Sequence, residues 1–90
     1  MNENKYELKD TIEMMNSPNY KERFIAEYVQ LNIRTNKLQN MIDKWERNEL
    51  DFTPSCPYEL LAYQLDVMTQ YRNCLIQRAE IEGIDLTNYT

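Results

Sequence analysis

The sequence predicts an all-α fold: an antiparallel helical hairpin of two long helices with a short N-terminal helix before it. Three observations predict it. Phe24, Tyr28, Leu31, Thr35, Leu38, Ile42 and Trp45 follow one another in steps of 4, 3, 4, 3, 4 and 3, so they form one stripe along a helix. One Gly and three Pro in 90 residues, with Glu, Lys, Leu, Gln and Met frequent, favour helix over sheet. Two helix-start signals, Ser17-Pro18 and Cys56-Pro57, mark off two uninterrupted stretches.

Residues 1–16 read as a short amphipathic helix. Leu8, Ile12 and Met15 fall at i, i+4 and i+7, and a helix so short must dock to be ordered, either on its own hairpin or on a neighbouring subunit. Ser17 offers an N-cap oxygen, and Pro18 at the first helical position costs no hydrogen bond. Helix 18–47 follows, a rod of about 45 Å at 1.5 Å per residue. Its apolar stripe has one polar member, Thr35, which can bond the preceding turn or fix register with a partner.

Asn48, Asp51, Thr53, Pro54 and Ser55 are turn formers, so 47–56 is the connector, with Leu50 and Phe52 packing over the hairpin end near Trp45. Helix 57–82 starts at Pro57, with Glu59 near the positive end of its dipole. Leu61, Leu65, Met68, Leu75 and Ala79 line its inner side with Tyr71 beside them, while Gln64 and Arg78 interrupt it. Gly83 stands where a left-handed C-cap belongs, Ile84 folds back, and 85–90 is a tail. Similar rod lengths and a short connector make antiparallel packing the default.

Ninety residues allow one domain, 1–90. A hairpin of this size has little interior, and small domains often bury leftover apolar surface against another subunit, so a homo-oligomer is expected. Seven Tyr and five Met suit such contacts. There is no His, which argues against zinc and histidine-based catalysis, and no nucleophile–base pair, phosphate loop or metal-ligand cluster can be assembled. The expectation is a protein without enzymatic activity, cofactor or metal. Cys56 and Cys74 have neither metal nor CxxC spacing and read as free thiols, the one on the second helix buried. With no leader, lipidation motif or apolar run of membrane length, the chain reads as cytosolic, with no membrane partner.

The net charge of −5 is unevenly spread. Residues 18–48 carry six basic and four acidic residues, whereas 49–90 carry seven acidic and two basic. The first long helix is therefore the net-basic element. Arg23, Arg34, Lys37 and Lys44 make a strip flanking its apolar seam. Such a strip is most simply a solvated face paired with Glu27 or with the acidic second helix. Its sharper reading is a phosphate-binding strip with Tyr20 and Tyr28 placed for base stacking. Negative charge and the lack of a recognition motif argue against duplex nucleic acid, but a small anionic nucleotide needs only two or three cations. Tyr58 and Tyr63, off the inner side of the second helix, fit a protein contact.

The pattern Tyr20-Lys21-Glu22-Arg23-Phe24, Glu27-Tyr28, Leu31, Arg34, Lys37-Leu38, then Cys56-Pro57, Leu60-Leu61, Gln64, Met68, Tyr71, Leu75, Arg78 and Glu80-Ile81-Glu82-Gly83 resembles small phage and prophage proteins labelled as related to a protein of a crAss-like phage. The resemblance spans roughly 11–86 and departs at Thr35, where relatives often carry an aromatic residue. In size and hairpin design the chain is also similar to the phage anti-CBASS and anti-Thoeris sponges, an analogy of architecture. It implies a phage-encoded counter-defence protein of the host cytoplasm that oligomerises and sequesters a nucleotide immune signal, of cyclic nucleotide or ADP-ribose type, without cleaving it. The expected ligand-binding residues are Tyr20, Arg23, Tyr28, Arg34, Lys37, Tyr71 and Arg78. The alternatives are a protein–protein inhibitor of a host defence enzyme, acting through the acidic second half, and a structural phage assembly protein.

Overall fold

A computed structural model describes residues 6–90. A 3-10 turn, Leu8–Thr11, runs into the one-turn helix α1, Ile12–Met15; the long helices are α2, Tyr20–Glu46, and α3, Tyr58–Glu82; a second 3-10 turn, Thr87–Tyr89, closes the chain. α2 and α3 pack as the expected hairpin, and the described residues contain no strand. Residues 1–5 of the expected N-terminal helix lie outside the described residues.

α2 starts two residues later than the Ser17-Pro18 signal implies. Asn19 is its N-cap, accepting from the Lys21 amide at 2.9 Å. Ser17 instead accepts from the Asn19 amide and donates to Glu22, bracing the turn before the cap. The other boundaries hold closely. Pro57, with extended ψ, stands just before α3 and not at its first position. Gly83 takes the left-handed C-cap at φ 71°, and the Ile84 amide reaches back to the Ala79 carbonyl at 2.8 Å.

The stripe of α2 goes into the interface with α3, as its spacing predicts. Phe24, Tyr28, Leu31, Thr35 and Ile42 are buried, and Leu38 and Trp45 are half-buried. Thr35 satisfies its hydroxyl on the Leu31 carbonyl at 2.7 Å. A second face of α2, with Ala26, Val29 and Ile33, is buried as well. The N-terminal segment packs on α2 of the same chain. Of the expected inward row Leu8 is half-buried against the core, but Ile12 and Met15 are 54% and 46% exposed, and the fully buried residue is Thr11. Thr11 donates to the Leu8 carbonyl and accepts from Gln30 of α2 at 2.8 Å. The 3-10 turn has three residues per turn, so the face expected from α-helical spacing is rotated away from α2.

On α3 the burial is lopsided. Leu75 and Ala79 are buried, whereas Leu61, Leu65 and Met68 are half-buried. Cys74, expected inside, is exposed, and both thiols are free. The C-terminal residues are not a loose tail: Ile84 and Leu86 join the core built on Phe24, Tyr28, Val29, Leu31, Ile33, Leu75 and Ala79. That core sits at the open end of the hairpin, where four segments meet.

Candidate functional site

The expected ligand residues fall into two groups and two separate positions, Arg23 and Tyr28. The first lies along one side of the α2–α3 seam. The Tyr20 hydroxyl donates to Glu82 at 3.3 Å, Arg78 pairs with Glu82 at 3.2 Å, and the Arg78 guanidinium lies 4.8 Å from the Phe24 ring centroid. One step along, the Tyr71 hydroxyl donates to the Glu27 carboxylate. Tyr20 and Arg78 are thus joined through Glu82, and Tyr71 is tied separately to Glu27 along the same side. Two aromatic rims and a guanidinium there resemble a shallow stacking platform, but its cation is already paired.

The second group is Arg34, Lys37 and, beyond them, Lys44. All three are exposed, and none has an ion-pair or hydrogen-bond partner among the described residues. Lys37 and Lys44 line a cleft of about 280 Å³ between α2 and the connector, with Met41 and Phe52 on its wall. Glu49 and Asp51 are at the same cleft, but Glu49 is held by Arg47 at 2.9 Å. Leu50 and Phe52 line a second cavity with Trp45 at the hairpin end, their expected place, with Leu50 half-buried and Phe52 exposed. Arg23 stands apart: its guanidinium donates to the Ser17 carbonyl at 2.6 Å, tying the α1–α2 turn to α2.

Tyr28 is inside. Its ring is buried in the core and lines a largely apolar, open cleft of about 310 Å³ bordered by the C-terminal segment. Burial raises its phenol above the ordinary value, and the Arg72 charge opposes that shift.

Arg72 is the polar residue that sequence reading missed. It is half-buried and donates to the side-chain carbonyls of Asn32 at 3.1 Å and Asn36 at 3.3 Å, with no carboxylate partner among the described residues. The signal was present in the spacing. Leu61, Leu65, Met68, Arg72, Leu75 and Ala79 continue in steps of 4, 3, 4, 3 and 4, which puts Arg72 on the inner row that Tyr71 flanks. A guanidinium held by two amide oxygens keeps its full charge, so it adds a fixed positive field between the helices.

The described residues hold no group of His, Cys, Asp or Glu able to bind a metal. None of their helices is long and apolar enough to cross a membrane. What the arrangement offers chemically is binding: unpaired cations, exposed aromatic rings and small clefts on an acidic molecule. A family model described as Sequestin matches residues 18–81, from the α2 start through nearly all of α3. No curated protein matches the chain, and no solved structure does.

Proposed function

The chain belongs to the Sequestin family, and from that membership we propose that it works by binding and holding a small nucleotide signal without converting it. The family name points to sequestration. The signal we propose is an anionic nucleotide of cyclic or ADP-ribose type, and the setting is a phage-encoded counter-defence protein in the cytoplasm of the infected cell. Depletion of a free signal requires a tight binder made in excess, and needs no catalytic group.

The observation that carries this reading is the trio Arg34, Lys37 and Lys44. In a protein of net charge −5, these exposed cations have no acidic partner among the described residues, although acids are plentiful. Charges left unpaired on one helix are free to take phosphate. Phe52 supplies exposed aromatic surface in the cleft beside Lys37 and Lys44, and Tyr20 and Tyr71 supply it elsewhere on the same hairpin. The seven expected ligand residues are spread over more than one surface of a single chain. We therefore assign the complete pocket to an oligomer in which two copies contribute.

Calorimetry against cyclic di- and trinucleotides and ADP-ribose derivatives tests the reading, with recovered ligand analysed for chemical change. Saturable binding with the ligand returned intact is expected, and Arg34→Ala with Lys37→Ala should weaken it by about a hundredfold to ten-thousandfold, two charge-assisted contacts at about 1.5–3 kcal/mol each. A folded sample that binds none of them defeats it.

A further inference from the structure

Arg72 brings a positive charge into the α2–α3 seam and meets only neutral acceptors there. Both of its hydrogen bonds, to Asn32 and Asn36, leave from the same terminal nitrogen, Nη1. Nε and Nη2 form the edge of the guanidinium that matches a carboxylate, and they have no partner among the described residues. A half-buried guanidinium has given up part of its hydration, and here no counter-charge replaces it. The seam therefore holds an unused receptor for an anion.

An apolar cleft begins one helical turn further along. Tyr28 on α2 and Ile76 on α3 line the cleft of about 310 Å³, and each stands four residues from Asn32 and Arg72 respectively, toward the open end of the hairpin. Ala79, Ile84 and Leu86 add to its apolar wall. Tyr28 is 2% exposed, yet its hydroxyl makes no hydrogen bond among the described residues. The Arg72 charge acts on that phenol, so the receptor and the cleft belong to one neighbourhood.

The charges at the cleft decide what it can take. Asp85 is turned onto the Thr87 amide at 2.9 Å and the Thr87 hydroxyl at 2.7 Å. Glu80 is exposed at the rim and has no partner among the described residues. One cation facing one free carboxylate suits a ligand with a single negative charge and disfavours a polyanion. Ligand pockets span about 300 to 1,000 Å³, so this one, at the small end, fits one ring or a short chain.

We propose that Arg72 and this cleft bind a small apolar monocarboxylate. Its carboxylate takes the Nε and Nη2 edge of Arg72, and its body lies one turn away against Ile76, Ile84 and Leu86, with the Tyr28 hydroxyl as a further donor. The site is separate from Arg34. Arg34 and Asn36 are two residues apart on α2 and point about 200° from each other, so Arg34 and the Arg72 site occupy opposite flanks. Nucleotide sequestration does not depend on it.

Calorimetry of the full chain with phenylpropionate as probe tests the proposal, with phenylpropanol as the uncharged counterpart and acetate as the anion without a body. Phenylpropionate should bind saturably, one per chain, and at least about tenfold more tightly than either of the others. Arg72→Gln keeps a polar side chain at the seam and should weaken phenylpropionate at least about tenfold while leaving phenylpropanol unchanged. That split separates loss of a carboxylate contact from a general disturbance of the cleft, which would weaken both. A folded wild type that binds no phenylpropionate at millimolar concentration overturns the proposal. So does equal binding of the acid and the alcohol, or an Arg72→Gln variant that weakens both alike.

Discussion

Gly83 holds φ at 71°, and nothing lies within 4 Å of where a β-carbon would stand. Replacing it with Ala therefore costs backbone energy alone. Gly83→Ala should lower stability by about 1 kcal/mol, read as a shift in the urea midpoint at unchanged slope. At this position the sequence was fully legible, because a lone glycine after a helical run has one common use. Thr35 was legible in part. Its place in the stripe foretold burial, and the bond to Leu31 is the local one a helical threonine makes. Whether a polar break opens a pocket depends on what stands across from it, and that spacing cannot say. Arg72 shows the converse. It sits in an apolar row because Asn32 and Asn36 meet it from the other helix, a long-range match that no local pattern encodes.

At the scale of elements, α2 is the organising helix because it is buried on two sides. One face meets α3, and the other, with Ala26, Val29 and Ile33, is covered by the N-terminal segment. The attachment of that segment is unusually polar at its centre. Thr11, 1% exposed, takes a hydrogen bond from Gln30, which also reaches the Met15 sulfur at 3.4 Å. Thr11→Val keeps the shape but leaves the Gln30 amide short of a partner, a cost of about 1–3 kcal/mol. Hydrogen exchange should then show amides of the Leu8–Met15 segment losing protection while those in the middle of α2 keep theirs. If all amides lose protection equally, the segment is not an independently docked layer.

For the whole molecule, the ionisable groups set how stability follows pH. The three ion pairs of the described residues, Lys9–Glu7, Arg47–Glu49 and Arg78–Glu82, are local surface pairs of small worth. Asp85 is held below its ordinary value by the backbone and hydroxyl hydrogen bonds of Thr87. Its contribution is present above that ordinary value and is lost as pH falls through the lower folded one. Tyr28 has the opposite sign: burial raises its pKa from 10.0, so its contribution is full below pH 10.0 and is lost as pH rises through the folded value. Unfolding measured against pH should therefore be flat near neutrality and fall above about pH 10. Tyr28→Phe should make that alkaline fall shallower. An unchanged alkaline limb would show that other groups set it.

By itself the sequence determined the helices, their order and the seam of α2, since spacing, proline and glycine act within a few residues of where they stand. The Ser17-Pro18 signal missed the start of α2 by two residues because a nearby asparagine made the better cap. The tertiary structure decided which faces are covered and which are left open. Packing put Thr11 inward, buried Leu86 of the supposed tail and left Cys74 exposed. It also divided the expected ligand residues among a paired surface, an unpaired strip and the core. Those outcomes depend on residues far apart in the chain competing for a small interior, and a helix pattern carries no record of how many layers will cover it.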